Sequence, residues 1–203
     1  DDIYNGATPS LGISQGNLVA GDALYVDYNG DGVITTSDNV VMDNNIGFPL
    51  RTYSLGLNFD YKNFALSANF YGVSDVGYII PNTYFFDFQN YVQANESVVD
   101  RWTVENAASV TKPALHLTNT HNQTASTLTY TDGSYIRLKS VEFSYKFEKG
   151  AVKKLGLTSA QLYANGNNLY TWSKLDDQMD PETSGTSNYP IIKRFSLGLR
   201  VAF

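Results

Sequence analysis

Phe195, Leu197, Leu199, Val201 and Phe203 alternate with Ser196, Gly198, Arg200 and Ala202 at the end of the chain. A period of two gives a β-strand one wholly apolar face and one small or charged face. Nine residues, tilted, are about what a barrel strand needs to cross a bilayer. A soluble sandwich strand can alternate in the same way, so both architectures stand at this point, with the outer-membrane barrel ahead because the strand closes on an aromatic residue.

Composition narrows the choice. Hydrophobic residues make up 42% of the 203 and charged residues 17%, which suits a packed or lipid-covered structure. The 15 Tyr and 11 Phe, set among many Asn, Ser, Thr and Gly, favour strands and turns over helices. A net charge of −6 argues against nucleic acid as a partner, because phosphate binding needs clustered Lys and Arg. Cysteine is absent, which removes disulfides and thiolate chemistry. No apolar run is long enough for a transmembrane helix, but barrel strands interleave polar residues and escape that test. The opening Asp1-Asp2-Ile3-Tyr4-Asn5-Gly6 reads as the middle of a loop and carries no signal peptide, so a longer exported protein is expected.

The pattern along the chain predicts an all-β fold of about five antiparallel strands. Residues 1–50 are Gly-, Asn- and Asp-rich loop. Tyr53, Leu55, Leu57, Phe59 and Tyr61 alternate with polar residues, Lys62-Asn63 turns, and Phe64, Leu66, Ala68 and Phe70 alternate in reply, which is a hairpin at 51–61 and 64–73. Residues 74–133 are a long connection with a short helix expected around Val92–Trp102. Strand 134–148 carries Val141, Phe143, Tyr145 and Phe147 on one face, whereas Ile136 and Leu138 have the opposite phase. A bulge or a second buried surface near Ser140 would explain the switch. Residues 149–158 include a possible helical turn at Ala151–Leu155. In strand 159–171, Tyr163 and Leu169 share one face and Leu162, Ala164 and Tyr170 the other, which leaves its apolar side open. Residues 172–192 form a loop before the last strand, 193–203.

Placing Phe203 at the periplasmic end sets every strand direction. Strands 51–61, 134–148 and 193–203 then run inward, and 64–73 and 159–171 outward. The short connections 62–63 and 149–158 become periplasmic, and the long stretches 1–50, 74–133 and 172–192 extracellular. That asymmetry is the one outer-membrane barrels have. Tyr170 and Trp172 would then lie at the outer interface, where amphipathic rings are favoured.

Asp27-Tyr28-Asn29-Gly30-Asp31-Gly32-Val33-Ile34-Thr35-Thr36-Ser37-Asp38 is the sharpest chemical motif. Asp27, Asn29 and Asp31 supply oxygens at loop positions 1, 3 and 5, Gly32 allows the sharp turn at 6, Val33 offers a carbonyl at 7, and Asp38 stands at 12. This is the ligand order of an EF-hand-type Ca²⁺ loop. It departs from that pattern in having Asp rather than Glu at position 12 and no flanking helices. The other reading is an Asx-rich turn held by its own backbone.

The remaining candidates read as structural. His116 and His121 are expected to be solvated loop residues without a carboxylate partner. Asp176, Asp177, Asp180 and Glu182 are expected to form a solvated acidic loop, a second cation or sugar-hydroxyl site being the alternative. Arg101-Trp102 reads as a structural pair, with stacking on a ligand as the alternative. The aromatic cluster Tyr84–Tyr91 must either pack within its loop or meet a partner. Asn95-Glu96-Ser97 and Asn122-Gln123-Thr124 match glycosylation acceptors, a pattern short enough to arise by chance. No nucleophile elbow, zincin motif or phosphate loop is present, so no enzyme activity and no catalytic residue is expected.

Gly21-Asp22 through Asp38, the hairpin Tyr53–Phe70, Asp100-Arg101-Trp102-Thr103, Asp132-Gly133-Ser134-Tyr135-Ile136-Arg137-Leu138-Lys139, Leu162–Leu169 with Asn167-Asn168-Leu169, and Arg194–Phe203 occur in a fixed order. As a set they resemble the C-terminal part of a SusC/RagA-like TonB-dependent transporter of Bacteroidota. The resemblance implies a 22-stranded outer-membrane barrel with an N-terminal plug, a SusD-like surface lipoprotein as lid, energy from the TonB complex, and oligosaccharide or peptide cargo. This chain would supply five strands and their loops, and its first and last strands would pair with the rest of the barrel, because open edges are not tolerated in lipid. A secreted calcium-stabilised β-sandwich that binds glycans is the alternative, and a surface hydrolase a third reading.

Overall fold

The computed structural model describes residues 10–11, 18–42, 44, 46–88, 94, 96–116, 121–124, 126–176, 179–183 and 191–203. Its elements in chain order are β1 (Ser10–Leu11), β2 (Val33–Ile34), β3 (Arg51–Tyr61), β4 (Phe64–Ser74), β5 (Gly77–Ile79), α1 (Asn82–Phe85), β6 (Tyr130–Asp132), β7 (Tyr135–Lys146), α2 (Lys149–Lys153), β8 (Ser159–Ser173) and β9 (Arg194–Ala202). They fall into two compact units, Asn44–Tyr78 with Thr131–Phe203 and Asp1–Asp43 with Ile79–Tyr130. Short strands β1 and β2 pair in parallel, and β5 pairs with β6 in a two-stranded ribbon.

The first unit is built on one antiparallel sheet in the order β3-β4-β7-β8-β9. Lys62 turns the first hairpin with a left-handed φ of 54°, and the carbonyl of Asn63 in the same turn accepts from the Lys146 amide at 2.8 Å. Register then carries the alternation of each strand across the whole sheet. Leu57, Ala68, Val141, Gly166 and Phe195 stand in one row, Phe59, Leu66, Phe143, Ala164 and Leu197 in another, and Tyr61, Phe64, Tyr145, Leu162 and Leu199 in a third. The opposite face carries Asn58, Ser67, Glu142, Asn165 and Ser196 in one row and Asn69, Ser140, Asn167 and Arg194 in the next.

The phase switch in β7 is a bulge. Phe70 pairs with Leu138 and Asn69 with Ser140, so Lys139 has no opposite number on β4. On β8 the pairing likewise skips from Leu138–Tyr170 to Ser140–Asn167. Asn168 absorbs the extra length in the left-handed region, φ 53°. The extra residue explains how Ile136 and Leu138 share a face with Val141, Phe143 and Tyr145 despite opposite phase. The same register settles β8, whose Leu162, Ala164 and Tyr170 lie on the apolar face and whose Tyr163 lies on the polar one. Gly166 is required beside this bulge, because a Cβ there would run into the Leu169 side chain.

No second sheet covers the apolar face among the described residues. Leu55, Phe59, Leu197 and Leu199 remain 55%, 64%, 75% and 60% exposed. The sandwich alternative fails on this point, because a sandwich buries that face against a partner sheet. A small buried cluster of this unit lies elsewhere, formed by Val73, Val76 and Tyr135 with Tyr71 against it. No helix among the described residues is long and apolar enough to cross a membrane, which says nothing of strands.

The second unit is a loop domain held by polar contacts. The side chain of Asp22 is fully buried and pairs with His116 Nε2 at 2.5 Å. Asp22 Oδ1 also accepts from the Asn122 amide at 3.0 Å. His121 Nε2 meets the Ala23 carbonyl at 2.8 Å, and its ring stands edge-on to Tyr25. The expectation of two solvated histidines is therefore corrected: their partners lie more than 90 residues away in sequence, where no local pattern reveals them. Burial pushes the Tyr25 phenol above its ordinary value. Trp102 packs on Gly21, where any Cβ would strike the indole, and Arg101 Nη1 donates to Val98 O at 3.0 Å. Both residues serve structure here. Phe85 and Phe86 stack edge to face with centroids 4.9 Å apart. Buried Asp87 pairs with Lys112 at 3.4 Å, so this part of the aromatic cluster packs within its loop.

Two expected helices differ in detail. Glu96–Asp100 is a 3-10 turn, and residues 92, 93 and 95 of the expected helix, with the candidate acceptor Asn95, lie outside the described residues, as do residues 89–91 of the aromatic cluster. Helix α2 begins two residues before the expected Ala151 and buries Val152.

Candidate functional site

The sheet is two-faced, and each face has its own chemistry. Eight residues separate Tyr53 from Tyr61 on β3, about 27 Å along a strand at about 3.4 Å per residue. Tilted by about 40°, that run stands roughly 20 Å tall, close to the roughly 25 Å apolar band of an outer-membrane barrel. Aromatic residues mark both limits of the band. Tyr170 and Trp172 meet edge to face at 4.8 Å, and Phe70 stacks on Trp172 at 6.4 Å. At the hairpin end, Phe64, Phe143, Tyr145 and Phe147 form a second girdle with centroid distances of 4.8–5.7 Å.

The polar face carries a buried ion network that the sequence did not announce. Arg137 on β7 is 2% exposed at its side chain and pairs through Nη2 with Asp180 at 2.6 Å. Its Nε donates to Thr171 Oγ1 at 2.8 Å. Lys139 Nζ grips both oxygens of Glu182, at 2.7 and 2.8 Å, and the Tyr135 hydroxyl donates to the same carboxylate at 3.0 Å. The expected solvated acidic loop is corrected accordingly. Asp180 and Glu182 are wall residues, drawn onto the sheet by two cations one pleat apart. Asp176 stays exposed, and Asp177 lies outside the described residues. These ion pairs were detectable only through the pairing of Asp180 and Glu182 with a strand some 43 residues earlier.

Further along the same face, Arg200 lies over the Tyr163 ring at 4.1 Å. Tyr163 in turn covers Gly198, where a Cβ would collide with the ring. The glycine gives the ring room and the arginine caps it.

The acidic loop closes on itself. Asp27 accepts from the amides of Gly30 and Gly32, both at 2.7 Å. Asn29 Oδ1 accepts from Asp31 N at 2.9 Å, and Asp31 Oδ1 from Val33 N at 2.8 Å. Asp38 reaches back across the loop to Tyr28 N and Thr35 N, at 2.9 and 2.7 Å. Gly30 and Gly32 adopt φ of 76° and 84°, which a side chain would strain. Among the described residues no three His, Cys, Asp or Glu side chains are gathered as a metal cluster. The carboxylates are turned onto their own amides.

The Asp38 carboxyl is held below its ordinary 3.8, first by the Thr35 amide and then by those of Asn29 and Tyr28. A depressed folded-state value means that the contribution to loop closure is complete above the unfolded value and fades as pH falls through the lower, folded one. A carboxyl-detected NMR titration is expected to place the Asp38 midpoint below that of an unstructured peptide; a midpoint at or above it contradicts the closed loop.

An antiparallel sheet with a lipid-height apolar face, aromatic girdles and a polar ion-paired reverse defines a strip of transmembrane barrel wall. No family model matches the chain. TonB-dependent receptor P26 of Formosa agariphila is 34% identical over 205 residues, 91% of this chain and 20% of its own length. TonB-dependent receptor P3 of the same organism is 29% identical over 221 residues, 99% of this chain and 21% of its own length. The chain thus spans about a fifth of the curated relatives it matches. Solved structures of the RagAB peptide importer superpose with TM-scores of 0.67 in the closed-closed state and 0.68 in the open-open state, each over 84% of this chain and 19% of the other, at 21% identity. The chain is similar over nearly its whole length to a segment of TonB-dependent receptors, and its fold to part of the RagAB importer.

Proposed function

We propose that this segment builds part of the wall of a TonB-dependent importer that takes up oligosaccharides or peptides with a SusD-like surface lipoprotein. The observation that carries the reading is the sheet itself, apolar and uncovered on one face and polar and ion-paired on the other. Among the described residues both outer strands, β3 and β9, present unpaired edges. In hydrocarbon such edges cost several kcal/mol per unsatisfied group, so further strands of the same barrel must continue the sheet. The plug and the TonB-contacting part belong to that remainder, and the long loops face the surface, where the lipoprotein sits. The role is one of passage, with no covalent chemistry. The relatives are named receptors, and neighbours in fold are named a peptide importer, which favours uptake over hydrolysis. Cells carrying the complete receptor should accumulate labelled oligosaccharide or peptide, and lose that uptake when either the lipoprotein or TonB is deleted. Uptake unchanged in both deletions would sink the reading.

A second element of the proposal is a structural Ca²⁺ at Asp27, Asn29, Asp31, Val33 and Asp38. Its support is the return of Asp38 to the amides of Tyr28 and Asn29, which brings loop positions 12 and 1–3 together. The ion would brace the loop, with an affinity on the order of 10⁻⁴–10⁻³ M, as in extracellular modules. Calcium should protect residues 22–43 from protease, and equal cleavage with calcium and with chelator would remove the ion from the account.

A further inference from the structure

We propose that Lys139 is a binding residue for a carboxylate carried by the cargo, and that Glu182 holds its place until the cargo arrives. The inference rests on the importer reading and adds a ligand class to it. Three observations converge on this side chain.

First, Lys139 is the bulge residue of β7, unmatched on both neighbouring strands. Bulges re-aim side chains out of the pleat, and this one sets Lys139 beside Arg137 on the polar face, over the Tyr71 ring at 5.6 Å. Second, Lys139 is the accessible member of the network. Its side chain is 35% exposed, against 17% for Glu182 and 2% for Arg137. Third, one buried donor of the network makes an ion pair but no hydrogen bond. Arg137 Nη1 is buried and makes no hydrogen bond, although Glu182 Oε2 lies only 3.4 Å away. Both oxygens of Glu182 are taken by Lys139 instead. Asp180 is held elsewhere, its Oδ1 by Arg137 Nη2 and the Glu182 amide and its Oδ2 by the Ile191 amide.

These facts describe an exchange. A carboxylate arriving from the passage takes the place of Glu182 on Lys139. Glu182 then shifts toward Arg137 Nη1 and turns their 3.4 Å ion pair into a hydrogen bond. Leaving a buried donor unsatisfied is costly, so its satisfaction offsets the loss of the Lys139–Glu182 pair. A neutral hydroxyl or amide cannot compensate a lysine for a lost carboxylate, so the exchange selects for charge. The carboxylate could belong to an acidic peptide or to an acidic sugar.

The test uses the complete receptor in detergent and four probes: an acidic peptide, its fully amidated form, an oligogalacturonate and its methyl ester. The native receptor should bind at least one acid more tightly than its neutral counterpart, and which acid it is identifies the source. Lys139→Gln should weaken that acid about tenfold and leave the neutral form unchanged, and Lys139→Arg should retain most of the binding. Glu182→Gln should act in the opposite direction and tighten it, because the lysine is then released; a purely structural network would not move the two variants apart. The proposal is overturned if no acid is preferred over its neutral form, or if Lys139→Gln leaves acid binding unchanged. The importer reading is judged separately, by uptake in cells of whichever probe binds.

Discussion

Leu199→Arg in the complete receptor should impair insertion into the outer membrane and lower its stability, by up to roughly 2–4 kcal/mol, the cost of an arginine facing lipid at the bilayer midplane. Leu199 is the middle of the five apolar residues of the last strand, Phe195 to Phe203, and is 60% exposed with nothing over it. Ser196→Arg is the matched control. Ser196 stands opposite Asn165 on the polar face, where a cation meets water and the Glu142 row rather than acyl chains. Its effect should be well under half that of Leu199→Arg. Folding yield in bilayers and heat-modifiable migration of the assembled barrel measure both. Equal losses would count against this assignment of the two faces, and a larger loss for Ser196→Arg would mean that they are exchanged.

Arg137→Met should be the most damaging change on the other face. It removes the partner of Asp180 and the nearest second cation of Glu182 from a site where the arginine is 2% and Asp180 11% exposed. Breaking one member of a buried ion pair typically costs about 3–5 kcal/mol, because the remaining charge is stranded. Adding Asp180→Asn to Arg137→Met should restore part of that loss, since the stranded charge disappears with it. Denaturant unfolding of the receptor, with the single and double variants side by side, reads the coupling directly. If the double variant is as unstable as the sum of the two single ones, Asp180 and Arg137 are not partners in the folded barrel.

The two predictions draw on parts of the molecule that were unequally legible. The apolar face was readable residue by residue. Tyr53–Tyr61, Phe64–Phe70 and Phe195–Phe203 keep strict alternation, and alternation needs only the local geometry of an extended chain. The Asp27–Asp38 loop was similarly open to reading, because its contacts run between residues 2–10 apart. The polar face was not. Nothing near Asp180 or Glu182 in the chain indicates Arg137 and Lys139, and the same holds for Asp22 with His116. A strand that bulges loses its phase without a local signal, since the extra residue is defined only against the neighbours it fails to pair with.

Strand positions and the two-faced pattern follow from the sequence by itself, because side chains on an extended backbone must alternate whatever surrounds them. Tertiary structure alone decided which way β8 faces, where Lys139 points and which carboxylates are buried. Those outcomes depend on register and on electrostatic pairing between residues distant in the chain, and charges find buried partners only once the sheet has brought them within a few ångströms.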